Sequence, residues 1–268
     1  MKYKILVFGG FKLYFDQVSS IFKEKYNSDG KPDYEKLVES TGLNRGKIAR
    51  LLAYLCEIGF SKKINLENTR IGELIFKYDP YLETLGTLYI MHYLSASNPT
   101  LVVWNRIFNN AYSKEEVTKE EAIALFEDLR DEVSSYTFNK SIGKEITILL
   151  DAYTNQRYSK LGLLEFENAK YHIVRNSDII DFILLASIIK FRDYCLTGAS
   201  AVSIDEICKA ENSPGRLFFL DESCLRSKLE VLKSKGLIGI ESRADLDQVR
   251  LSSDMTFEGV LEQYYKSL

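Results

Sequence analysis

Three times along this chain a helical stretch of regularly spaced leucines and isoleucines gives way to two short apolar runs separated by polar residues. A helix that ends in a hairpin cannot bury its apolar stripe alone, so the repeat predicts a chain assembled from small packed units. The first copy runs from Lys47 to Phe60, with Ile48, Leu51, Leu52 and Leu55 at helical spacing and Gly59 as the stop. Strands are expected at 61–64 and 69–71 around the polar turn 65–68. In the last copy Asp221 caps a helix lined by Leu225, Leu229 and Leu232, Gly236 ends it, and strands at 237–240 and 249–251 flank a polar turn at 242–248. The middle copy is weaker: a helix at 142–153, then strands at 163–166 and 171–174.

A helix followed by a hairpin is the second half of a winged helix, and the first half is readable too. Residues 34–40 read as a short helix, Thr41-Gly42-Leu43 as a turn, and Asn44 as the cap of the next helix. Near the end, 178–194 reads as a long apolar helix, Ser203 caps 204–210, and an insert around Pro214-Gly215 replaces the tight turn. The expected fold is therefore mainly α with small β-hairpins, as tandem winged-helix units around a helical middle. Expected boundaries are a first domain at 1–80, a helical middle with its own winged-helix-like unit at 81–180, and a last domain at 181–268. In the middle, helices are predicted at 84–97, 101–110 and 118–133, the last with a Thr118/Glu121 capping box. Tyr89, Tyr93, Trp104 and Phe108 recur there at helical spacing and are expected in the core.

The chain carries a formal net charge of −3, so affinity for nucleic acid must come from a local cationic face. Between Thr41 and Lys63 five basic residues stand against one acid, Glu57, a local balance of +4. Asn44, Arg45, Lys47 and Arg50 fall on the outer face of the first repeat's helix, and Lys62, Lys63 and Arg70 on its hairpin. Such residues suit double-stranded DNA, where cations hold phosphates and polar groups read base edges. The last copy offers Arg226, Lys228 and Arg243, diluted by Asp221, Glu222, Glu230 and Glu241. The middle copy balances Lys140 and Lys144 against Glu145 and Asp151 and reads as structural.

For chemistry, Asp79 and Glu83 precede a helix that carries His92 two turns on. Two acids and a base could hold Mg²⁺ beside an attacking water, whereas the structural alternative is a charged helix start. Residues 3–8 read as a strand, and Gly9-Gly10 after it hints at a nucleotide-binding turn but lacks the third glycine of the dinucleotide fingerprint. Cys56, Cys195, Cys208 and Cys224 contain no C-x-x-C pair, and with two histidines the chain has little material for a zinc site. Neither a signal peptide nor an apolar membrane span is expected, which points to the cytoplasm.

Several stretches carry a family likeness: Asp79-Pro80-Tyr81-Leu82-Glu83, Thr87-Leu88-Tyr89-Ile90-Met91-His92-Tyr93, Ser97-Asn98-Pro99, Trp104, Phe108-Asn109, Ala244-Asp245-Leu246-Asp247 and Tyr264-Tyr265. Through them the chain resembles a bacterial family whose genes lie beside DNA phosphorothioation sulfurtransferases, the B component of the single-strand Ssp-type system. The resemblance implies a DNA-binding part of a modification and defence system, a nickase activity, and sulfurtransferase and ATPase subunits as partners. One departure concerns the chemistry. The family's amino-terminal F-x-x-H-E-x-F run has no counterpart here, where Phe8-Gly9-Gly10-Phe11 stands instead. A winged-helix transcriptional regulator and a non-enzymatic scaffold are the competing readings of the same pattern.

Overall fold

The structure, a computed structural model, describes residues 3–28, 32–176, 178–195, 199–243 and 246–268. The chain forms two compact units, Met1–Ile173 and Val174–Leu268. The boundary that the sequence suggests at residue 80 falls inside the first of them.

The described residues of the first unit open without a strand. Residues 3–8 are irregular, because left-handed Gly9 and Gly10 (φ 62° and 84°) close a turn directly behind them. Lys4 donates its backbone N–H to Thr100 at 2.9 Å. Three helices follow, α1 (Phe15–Asn27), α2 (Tyr34–Thr41) and α3 (Arg45–Glu57). Helix α1 buries Val18, Ile21 and Phe22, and α3 buries Ile48, Leu51, Leu52 and Leu55, the residues whose spacing predicts the helix.

The hairpin expected after α3 is a single bridge, Ser61 to Asn68. Its second strand is missing because Thr69 caps a helix instead, its hydroxyl accepting the Gly72 N–H at 3.1 Å to start α4 (Arg70–Tyr78). Helix α5 (Leu85–Ala96) is buried on every side except at its first residue, as a uniformly apolar helix must be. Next come α6 (Val102–Ala111), strand β1 (Glu116–Val117) and α7 (Lys119–Ala124) with the expected Thr118/Glu121 capping box. Helix α7 is shorter than the periodicity suggests: a 3₁₀ turn at Glu127–Leu129 and a π-helical turn at Thr137–Ile142 intervene before α8 (Gly143–Thr154). A 3₁₀ turn at Arg157–Leu161 leads to β2 (Leu164–Glu167) and β3 (Lys170–Ile173), and β3 lies centrally in an antiparallel β1-β3-β2 sheet.

Aromatic rings fill the centre of this unit. Tyr153 and Tyr158 stack at 4.8 Å, Trp104 lies 5.9 Å from Tyr153, and Phe8 lies 5.0 Å from Tyr54. Trp104, Tyr54, Tyr153 and Tyr158 are fully buried, so the amino-terminal helices and the middle segment share one core.

In the second unit the elements run α9 (Asp181–Cys195), β4 (Ala201–Ser203), α10 (Ile204–Lys209), α11 (Pro214–Leu217), α12 (Glu222–Ser234), β5 (Gly239–Arg243), β6 (Leu246–Arg250) and α13 (Phe257–Lys266). The strands form an antiparallel sheet in the order β4-β6-β5. Asp221 caps α12 by accepting the Cys224 N–H at 2.7 Å, and Ser203 and Glu206 form a capping box at α10. Helix α9 packs on α13, and Leu225, Leu229 and Leu232 turn inward from α12. Ala244 and Asp245 of the family-like motif lie outside the described residues. The fold is thus mainly helical with small antiparallel sheets, and no helix among the described residues is long and apolar enough to cross a membrane.

A candidate nucleic-acid interface

Helices α2 and α3 meet through a turn with the expected residues. Gly42 is left-handed (φ 67°) and returns its N–H to Val38, and the Asn44 side chain accepts the Lys47 N–H at 2.9 Å. Around the inward stripe of α3, Asn44, Arg45 and Arg50 are exposed and Lys47 is half-buried, with Arg45 beside α2 and Lys47 and Arg50 beside the amino-terminal turn. Arg45 pairs with Glu35, with both side chains about two-thirds exposed (64% and 65%). Exposed pairs of this kind contribute about 0–1 kcal/mol, so a phosphate can displace Glu35 at little cost. Lys47 Nζ lies 5.3 Å from the Phe11 ring centre and 5.2 Å from that of Tyr14. Burial holds its pKa below the usual lysine value.

Arg50 runs along the Gly9-Gly10 turn. A Cβ on Gly9 would lie 3.2 Å from Arg50 Nε, and one on Gly10 only 2.3 Å from Lys144 Nζ. Neither Arg50 nor Lys144 forms an ion pair among the described residues. The turn therefore brings Lys144, from the start of α8, beside the α3 face. In the sequence Lys140 and Lys144 are balanced by Glu145 and Asp151. Glu145, however, is fully buried. Its Oε1 accepts from Trp104 Nε1 at 3.4 Å, its Oε2 is buried without a hydrogen-bond partner, and the nearby backbone N–H groups of Val7 and Phe8 favour the ionised form. Burial pushes its pKa up to about 8 against these groups and the nearby Arg50, so at neutral pH it is mostly uncharged and cancels no cation. Only the fold reveals this, since a buried and an exposed glutamate look alike in sequence.

The residues after α3 are more neutralised. Lys62 pairs with Glu67 at 2.8 Å and Lys63 with Glu57 at 2.8 Å, while Arg70 is exposed at the start of α4. Burial raises the pKa of Glu57, but Lys4 and Lys63 outweigh it and hold the carboxyl below its ordinary value. In the second unit Arg226 is held by both Glu222 and Asp247, and Lys228 lies 3.5 Å from Asp181. Arg243, on β5, is exposed and forms no ion pair among the described residues.

Asp79, Glu83 and His92 do not gather into a metal site. Asp79 Oδ1 accepts the Glu83 N–H at 3.0 Å, and Oδ2 accepts from the Thr84 N–H and hydroxyl, both at 2.9 Å. That is the bonding of a carboxylate bracing a helix start. Glu83 is exposed and lies 3.9 Å from Arg157. His92 is fully buried, with Nδ1 2.5 Å from the Tyr153 hydroxyl and its ring edge-on to Phe108. Among the described residues no group of three or more His, Cys, Asp or Glu could hold a metal ion, so the donor set does not fit Mg²⁺.

Residues 56–265 match the family described as "Protein of unknown function (DUF4007)". Two solved structures are similar in fold, the SspB crystal structure (TM-score 0.75) and the magnesium ion-bound SspB crystal structure (TM-score 0.73). Each is 15% identical to this chain, and each alignment covers 96% of this chain and 86% of the other. No curated protein matches the chain in sequence.

Proposed function

The chain belongs to the DUF4007 family, and from that premise we propose that it binds double-stranded DNA as a component of a DNA phosphorothioation system. The observation that carries this reading is the group of cations around α3: Arg45 and Lys47 near its start, and Arg50 joined by Lys144 across the Gly9-Gly10 turn. A convex helix face with cations at its start and middle suits the major groove, whose width admits one helix. Likeness in fold to SspB, the B component of the Ssp phosphorothioation system, supports the choice of system.

Winged-helix units are part of the proposal. The order α9, β4, α10, α11, α12, β5, β6, with β4 paired to β6, is that of helix, strand, helix, helix and two-stranded wing with the short α11 inserted between the last two helices. Helices α2 and α3 with the bridged loop 61–68 supply a shorter version in the first unit. Of the two, the first is the better DNA contact, because carboxylates of the second unit already hold Arg226 and Lys228. Sulfurtransferase and ATPase subunits are the proposed partners. Strand nicking is kept apart, since it has no metal donor set to rest on among the described residues.

A salt titration by gel shift tests the binding. Each phosphate contact contributes a slope of about −0.9 in log affinity against log salt, so the triple variant Arg45→Glu, Lys47→Glu, Arg50→Glu should flatten the slope by roughly 2 to 3. An unchanged slope overturns the assignment to α3. Retained partner capture with lost DNA binding in that variant separates the reading from a pure scaffold. A single promoter as the sole tight target would favour a transcriptional regulator.

A further inference from the structure

Beside α3 lies a cavity of about 620 Å³, within the range of roughly 300–1,000 Å³ typical of small-ligand sites. Tyr3 and Ile5 supply an aromatic ring and an apolar wall, and Ala53 forms part of the side given by α3. Thr137 and Ser141 contribute hydroxyls from the π-helical turn, a distortion that often marks functional sites. Arg50, already among the proposed DNA contacts, also borders this space, so the cavity adjoins the proposed interface.

A second observation points the same way. Ile64 is fully exposed (100%) in the loop bridged at Ser61 and Asn68. Its neighbour Lys63 pairs at 2.8 Å with Glu57, and Glu57 lines the cavity. An exposed apolar residue between a lysine and an asparagine, in the loop that follows a cationic helix, has the make-up of a wedge that enters a base stack.

We propose that the cavity receives one nucleotide turned out of a DNA duplex, with Ile64 filling the gap it leaves. Arg50 holds the phosphate, Tyr3 and Ile5 face the base, and Thr137 and Ser141 meet its polar edge. This deepens the DNA-binding reading and depends on it.

Opening a base pair costs least where the pair is already mismatched, so a duplex with one central mismatch should bind roughly tenfold more tightly than its matched parent. Ala53→Trp, which fills the cavity and leaves the cations of α3 in place, should abolish that preference while matched duplex still binds. Thr137→Val, which removes a hydroxyl at nearly constant volume, should weaken the preference, and Ile64→Ser should reduce it severalfold. Matched-duplex binding reports folding in every variant. Equal affinity of the native chain for the two duplexes overturns the proposal and leaves the interface standing, as does a mismatch preference that survives Ala53→Trp. Free deoxynucleoside monophosphates give the remaining arm: if they bind in an Ala53→Trp-sensitive way and no mismatch preference exists, the cavity serves free nucleotides and base extrusion is wrong. Failure of every duplex to bind would strike the interface itself.

Discussion

Glu145 is fully buried near the amino-terminal turn, with Trp104 as its hydrogen-bond donor and Oε2 left without a partner. Its folded pKa of about 8 stands above the ordinary 4.5, so the folded chain holds a proton that the unfolded chain has lost. The stabilising effect of that protonation is complete below about pH 4.5 and disappears as pH rises through 8. Glu145→Gln should therefore flatten the pH dependence of stability between pH 5 and 8 and stabilise the protein at pH 8, by a few kcal/mol at most, as read by denaturant melts across pH. Lys25 has the complementary arrangement. It is buried beside Asn68 and over the Tyr26 ring, and burial lowers its pKa to about 8. Asp79 is buried as an acceptor of three hydrogen bonds, so Asp79→Ala should cost about 1–2 kcal/mol of stability through the loss of a cap. Urea unfolding of that variant checks this, and an unchanged midpoint would free the carboxylate for another role.

At the level of elements, helices were legible wherever apolar spacing and a cap agreed. Ile48, Leu51, Leu52 and Leu55 with Asn44 mark α3, and Leu225, Leu229 and Leu232 with Asp221 mark α12. The hairpins were less so. Thr69-Arg70-Ile71 reads equally well as a strand or as the first turn of a helix, and the Thr69 hydroxyl decides for the helix. Periodicity continues past Ala124, yet the backbone there passes into 3₁₀ and π turns that no local pattern announces. Of the candidate interface, α3 could be read from sequence, whereas Lys144 could not, because only folding carries it to Gly10. Gly42 has a left-handed φ of 67° at the end of α2, so Gly42→Ala should cost about 1 kcal/mol. A matching loss of DNA affinity in that variant would tie the α2–α3 turn to the proposed interface.

For the whole molecule, a formal charge of −3 conceals an uneven division of labour. Carboxylates of the second unit hold Arg226, Lys228 and Arg250, while the exposed Arg50 and Lys144 of the first unit have no such partners among the described residues. Arg226→Glu should therefore leave the salt dependence of DNA binding almost unchanged, whereas Arg50→Glu lowers it; gel shifts at several salt concentrations compare the two. The retained proton of Glu145 has one more consequence, for heat. Unfolding at neutral pH must hand nearly one proton to the solution, because the released carboxyl ionises at once. The calorimetric enthalpy will then depend on the buffer, and will differ between phosphate and Tris by about the difference in their heats of ionisation.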